Sequence, residues 1–121
     1  MYRIHDTQSR SQDGQELTVL ELEGHFDNAT APRLKDVLAK IYAESRFRVV
    51  VDGTKLAFIS SAGIGSILSI VHQYRAKGGD VKLASLSEKV MGVFQLLGLE
   101  DVLEVHPNVQ TAARKFSAPK K

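Results

Sequence analysis

In a chain of 121 residues without cysteine, chemistry would first be sought in "AFISSAGIGS", residues 57–66. Ser60 and Ser61 stand side by side ahead of Gly63 and Gly65, and no charged residue falls within the stretch. One serine at a helix start has an ordinary explanation, since its hydroxyl accepts from an orphan amide and is worth about 1 kcal/mol over alanine as an N-cap. A cap leaves the second hydroxyl unexplained, together with two glycines that each cost up to about 1 kcal/mol inside a helix. Glycine there strips side chains from the first turn and lets another group approach the backbone.

Three chemistries suit such a segment. A phosphate-cradling loop ends in Gly-Lys-Ser/Thr, and "SSAGIGS" does not. A hydrolase elbow reads Gly-x-Ser-x-Gly, but Ile59 occupies the place of the first glycine. His72 would lie about 16 Å up the helix axis from Ser61 at ~1.5 Å per residue, so His25, close to Asp27, is the one base left for a remote serine-hydrolase reading of Ser61. The third chemistry makes the hydroxyl a substrate. Phosphorylation adds about −1.5 to −2 charges, and a helix N-terminus, with its dipole and free amides, favours an anion. Apart from that remote use of His25, the chain shows no base, metal cluster or nucleophile-activating group of its own. The reading is therefore a non-enzyme with no cofactor and no metal, acted on by a kinase that brings its own base and Mg-ATP.

Positioning these residues requires a scaffold, and the hydrophobic pattern supplies one. Residues 2–7 and 16–23 alternate as strands around an Asp13-Gly14 turn, which predicts an opening hairpin. Leu34, Val37, Leu38 and Ile41 draw one apolar stripe after Pro32, a residue suited to a helix's first turn. The β-branched run at 46–52 fits a strand covered on both faces. Ile64, Ile67, Leu68 and Val71 repeat the helical stripe until Gly78-Gly79 stops it. Residues 80–86 form a fourth strand. A third helix begins at Ser85 or Ser87 beside Glu88 and ends at Gly98; a short strand at 102–105 and a last helix from Asn108 follow. The order β-β-α-β-α-β-α-β-α implies an α/β domain, a mostly parallel mixed sheet opened by a β-hairpin, with about four helices packed on it. Sites in such folds gather where chains leave the carboxyl ends of the strands. "GHFDNAT" and "KLAFISSAG" would both exit there as neighbouring loops.

Composition narrows the function classes. Sixteen basic and fourteen acidic residues give a net charge of +2, too dispersed for a nucleic-acid face. The N-terminus lacks the apolar core of a secretory signal, and the stretch 56–71 falls short of the ~20 apolar residues of a membrane span. A cytoplasmic protein with no nucleic-acid and no membrane partner is expected, folded over 1–116 with a flexible basic tail at 117–121.

"GHFDNATAPRL", "VVVDGTKLAFISSAGIGSI", "RAKGGDVKLASL" and "VMGVFQLLGLEDVLEV" together resemble the STAS domain of bacterial anti-sigma factor antagonists over roughly residues 17–116. The resemblance implies a protein that binds an anti-sigma factor which is also an ATP-binding serine kinase of histidine-kinase-like fold, thereby regulating sigma-factor-dependent transcription. Phosphorylation would switch it off and a PP2C-type phosphatase would reset it. Matching motif to motif places the phosphoacceptor at Ser61 and the acidic residue of the preceding turn at Asp27. The partner-contact surface becomes Asp27, Asn28, Ser60, Ser61, Ala62, Gly63, Ile64 and Gly65, with Ile64 read as exposed toward a partner or toward a second copy in a weak homodimer. Family members commonly carry Asp before the accepting serine; Ser60 stands there instead and is the alternative acceptor. Some STAS domains are scaffolds without phospho-regulation or parts of transporters, which keeps an interaction scaffold as the second reading.

Overall fold

The computed structural model describes residues 2–11 and 13–117. Its elements in chain order are β1 (Tyr2–Arg10), β2 (Glu16–Phe26), α1 (Ala31–Ala43), β3 (Arg48–Ile59), α2 (Ser61–Ala76), β4 (Asp80–Ala84), α3 (Glu88–Leu96), β5 (Val105–His106) and α4 (Val109–Ser117). The single α/β domain anticipated from the pattern is present, with a five-stranded sheet in the order β1-β2-β3-β4-β5. β1 and β2 pair antiparallel, and the remaining pairs are parallel.

Element limits differ from the pattern: β1 runs on to Arg10, β2 runs on to Phe26, so that Gly24 to Phe26 of "GHFDNAT" are strand, and β4 ends at Ala84. β3 does not stop at residue 52; it runs to Ile59, so Lys55 to Phe58 of "KLAFISSAG" are strand rather than loop. They pair with the end of β2, His25 opposite Phe58 and Phe26 opposite Ile59, across two register shifts. Gly53 and the exposed polar pair Thr54-Lys55 interrupt the apolar run without ending the strand. The last strand is only Val105–His106, and the residues before it form turns. Of the tail expected at 117–121, Ser117 belongs to α4, and 118–121 lie outside the described residues.

Strand alternation divides the sheet into two faces. Leu20 and Leu22 of β2, Val49 and Val51 of β3, and Val81 and Leu83 of β4 join the buried stripes of α1, α2 and α3 in the main core. Leu17, Val50 and Ala84 point the other way, toward Ala112 of α4. On that second face Lys82, 7 % exposed, bonds Asp80 and Glu104 and lies 4.7 Å from the centroid of the Phe116 ring. A cation over an aromatic face is attracted by the ring quadrupole, which clamps the last turn of α4 to β4.

Two hydrogen bonds set α2 against α1. The Ser66 hydroxyl donates to the Ala31 carbonyl at 2.9 Å, and the Tyr74 hydroxyl donates to the Leu38 carbonyl at 2.6 Å. Burial pushes the Tyr74 hydroxyl pKa well up, so it stays a neutral donor. After α2 the chain reverses through Gly78, in the left-handed region at φ 82°, and Gly79 lies so close to Phe47 that a Cβ there would collide with its carbonyl. Gly79→Ala is expected to destabilise the domain by at least about 2 kcal/mol, as overpacking against backbone does, measured as a lowered urea midpoint at unchanged slope.

Candidate functional site at the start of α2

The site is assembled where β2 and β3 end together. Beyond the last ladder pair, the Ser60 amide donates to the Phe26 carbonyl at 2.7 Å. Ser60 is thereby held extended, at φ −83° and ψ 169°, and its hydroxyl oxygen accepts from the Gly63 amide at 3.2 Å. Its carbonyl accepts from Ile64 at 3.0 Å. Ser60 is the N-cap, and Ser61 is the first helical residue, with an exposed side chain. The pair thus divides its labour: one hydroxyl closes the helix and the other is presented to solvent. Among the described residues the Ser61 and Ala62 amides have no protein acceptor, and the first turn of α2 carries no acidic side chain. Such a terminus favours an anion.

The neighbouring turn, from Phe26 into α1, is built on Asp27. Its carboxylate accepts from the amides of Ala29 at 3.0 Å and Thr30 at 3.2 Å, while the Thr30 hydroxyl oxygen accepts from the Asp27 amide at 2.9 Å. This reciprocal bonding closes the turn that leads to Thr30, the N-cap residue of α1. The Thr30 amide, and then that of Ala29, hold the Asp27 carboxyl below its ordinary 3.8. Asp27 and Asn28 are exposed beside Ser60, as the shared Phe26 carbonyl requires. Asp27 is committed to the turn that precedes α1. Thr30 carries half of this motif and was not singled out from the sequence, although its spacing from Asp27 was the available signal.

The two glycines separate. Gly63 is buried, and a Cβ on it would sit 2.7 Å from Ile59 Cγ1 and 3.2 Å from the Phe26 carbonyl oxygen. It is glycine so that α2 can settle onto the strand ends, which corrects its reading as a docking allowance. Gly65 meets nothing within 4 Å. Ile64 is corrected as well: only 1 % exposed, it packs in the main core with Ile67 and Val71 and is not available to a partner or a second copy. Ser60, Ala62 and Gly65 are partly exposed around Ser61.

No catalytic triad is in place. The His25 ring lies 6.3 Å from that of Phe58, centroid to centroid, and no hydrogen bond joins it to Ser61 among the described residues. Asp27 bonds backbone amides and not His25. His72 is exposed farther along α2.

Residues 8–112 match the STAS domain family, a span that includes every element of the site. The chain belongs to that family. BtrV of Bordetella bronchiseptica, named as an anti-sigma factor antagonist, is 33% identical to this STAS domain over 95 residues, 78% of this chain and 82% of its own. An anti-sigma factor antagonist from Thermotoga maritima superposes with a TM-score of 0.80 at 18% identity, covering 93% of this chain and 95% of its own. SpoIIAA of Bacillus in its phosphorylated form superposes with a TM-score of 0.66 at 18% identity, covering 95% and 98%. These superpositions establish the shared fold. The relatives are named as antagonists of other proteins rather than for a reaction. Among the described residues no helix is long and apolar enough to cross a membrane, and no His, Asp and Glu cluster is arranged to hold a metal.

Two outcomes test this geometry. Gly65→Ala should stabilise the STAS domain by up to about 1 kcal/mol through helix propensity, whereas Gly63→Ala should lower its urea midpoint. The Asp27 carboxyl, followed by carbon NMR, should titrate below 3.8. Because its folded pKa lies under the unfolded one, its contribution to stability is complete above the unfolded value and is lost as pH falls through the lower folded value. A midpoint at or above the ordinary value would mean the hydrogen bonds of this turn are absent in solution.

Proposed function

We propose that this STAS domain is an anti-sigma factor antagonist that works in the cytoplasm. It binds an anti-sigma factor through the start of α2 and the adjoining Asp27-Asn28 turn, and phosphorylation of Ser61 by that partner, acting as a serine kinase, releases it. A PP2C-type phosphatase then restores the binding form. The observation that carries this reading is the division between the serines: Ser60 is spent on the cap, while Ser61 holds a free hydroxyl at the same helix tip. The name carried by BtrV supports the role, and the phosphorylated form of SpoIIAA supports a phosphate on this fold. No aspartate precedes the acceptor, and the exposed carboxylate of Asp27 stands in the adjoining turn.

Magnitudes decide where the phosphate acts. A helix N-terminus stabilises a nearby anion by about 0.3–1 kcal/mol at an exposed site, so the phosphorylated domain keeps its fold. Burying the same charge beneath a docked protein costs several kcal/mol unless it is paired. Release therefore comes from the interface and needs no refolding. Gly65 contributes by leaving the exposed side of α2 open one turn beyond Ser61, where a partner's backbone can come close.

Incubating the purified chain with the serine-kinase anti-sigma factor of its own organism and Mg-ATP, then mapping phosphate by mass spectrometry, tests the assignment. Phosphate is expected on Ser61. Ser61→Ala should abolish it; Ser60→Ala should retain it while costing about 1 kcal/mol of stability from the lost cap. Phosphate on Ser60 alone would overturn the division of roles. A Ser61→Asp variant that keeps full affinity for the anti-sigma factor would favour a scaffold without phospho-regulation.

A further inference from the structure

On the far side of α1 from α2, a second surface takes shape along β1. This strand ends the sheet and pairs only with β2, over an unbroken register from Tyr2 opposite Gly24 to Arg10 opposite Glu16. Its other edge presents the backbone N–H and C=O groups of alternate residues, with no neighbouring strand among the described residues. Natural edges are usually blunted by proline, lysine or a bulge. β1 contains neither residue and its register has no shift; its charges are Arg3, Asp6 and Arg10, of which Asp6 is paired with Arg46.

Beside this edge runs a cavity of about 510 Å³, lined by Tyr2 and Ile4 of β1 and by Arg33, Asp36, Val37 and Lys40 of α1. Tyr2, Ile4 and Val37 are half-buried against the main core and form an apolar floor. Arg33 donates to the Tyr2 hydroxyl at 3.0 Å, and with Lys40 it outnumbers Asp36 on the rim. On the opposite face of β1, Arg3 and His5 are exposed, with Glu23 and Glu21 opposite them on β2.

The charges indicate which strand fits. In an antiparallel pairing of two copies about a two-fold axis normal to the sheet, facing residues share a side, and like charges directly opposite destabilise. Of the two registers that pair Ile4 with an apolar residue of a second copy, Ile4 with Tyr2 sets Arg3 against Arg3, and Ile4 with Ile4 sets Arg3 against His5 and gives Arg3 no acidic partner. A foreign strand with acidic residues at those positions meets complementary charge in the same register.

We propose that the β1 edge and the adjoining α1 groove are a docking site for an extended acidic segment of a partner protein, added to the sheet as a sixth strand. Its backbone pairs with β1, its apolar side chains enter the Tyr2-Ile4-Val37 slot on the α1 face, and its carboxylates, alternating to the other face, lie along Arg3 and His5. Strand addition of this kind takes affinity from main-chain bonds and specificity from alternate side chains. The site is separate from Ser61, so a partner could hold the domain here in either phosphorylation state.

The test is a titration of the ¹⁵N-labelled full chain with a short capped peptide of alternating Glu and Val, beside the same peptide with Lys for Glu. The Glu peptide is expected to shift and protect the β1 amides near Tyr2 to Asp6 and to shift Val37 and Lys40, leaving Ser61 and Ala62 unmoved. Affinity should fall with added salt, and the Lys peptide should bind roughly tenfold more weakly, as loss of charge complementarity implies. The variant Arg3→Glu, at an exposed position, should reverse the preference. Three results would overturn the proposal: unmoved β1 amides, equal binding of the two peptides, or dimers of the peptide-free chain joined through β1.

Discussion

The Phe26 carbonyl is the point on which the site depends. It accepts the Ser60 amide and so extends the β2-β3 ladder by one bond after the strands have ended. That bond holds Ser60 in the extended conformation a cap requires, and the cap makes Ser61 the first residue of α2. The same carbonyl limits what α2 can carry, because a side chain at Gly63 would press on it and on Ile59. Sheet, helix start and free hydroxyl are therefore one geometric unit. Moving α2 outward to admit a Cβ would strain the Ser60 bond and turn the Ser61 hydroxyl away from its position. The Asp27-Thr30 turn starts one residue beyond Phe26 and fixes the other side of the edge, by satisfying the amides of Asp27, Ala29 and Thr30 ahead of α1.

Much of this was legible in the residues. The stripes of Leu34, Leu38 and Ile41 and of Ile64, Ile67 and Val71 placed α1 and α2 and named their buried faces. Ser87 does cap α3, accepting from Val90, whereas Ser85 lies at φ 59° and does not. Asn108 opens α4 by accepting from Thr111. The failures have physical causes. β3 was cut short because periodicity cannot see a partner: Lys55 to Ile59 are strand because β2 runs beside them with two register shifts, a pairing that no local pattern announces. Ile64 was placed both in the apolar stripe and on the docking surface, and only the stripe was right, since a first turn set onto two strand ends is buried on one side. Tertiary hydrogen bonds such as Ser66 to Ala31 and Tyr74 to Leu38 join residues distant in sequence and leave no mark in spacing.

The face opposite α1, α2 and α3 shows why the exposed chemistry stays at the edges. α4 covers Leu17, Val50 and Ala84, and Phe116 lies near the cations of both Lys82 and Arg48. Asp80 bonds Lys82 and also Arg75, which reaches the Val102 carbonyl at 2.6 Å. Buried pairs of this sort add little net stability, because desolvation offsets attraction, but breaking one leaves an uncompensated charge. They fix the β4 side of the sheet in one arrangement. At the other end Arg46, 8 % exposed, bonds Asp6, Thr18 and Glu44, and so ties β1 and β2 to the turn before β3.

Gly63 and Gly65 carry the argument to its end, because the same residue type two positions apart answers to different demands. Gly63 is required by the chain's own packing, and its helix penalty is offset by the close seat it gives α2 on Phe26 and Ile59. Gly65 has no such return within the domain: nothing lies near enough to exclude a methyl group, yet the helix forgoes up to about 1 kcal/mol by keeping glycine there. A domain whose total stability is of the order of 5–15 kcal/mol tolerates that loss. What the free chain gives up at Gly65 is a bare strip of backbone one turn from Ser61, and in the proposed complex that strip is where a partner lies closest, so a phosphate added beside it meets the docked surface at its tightest point.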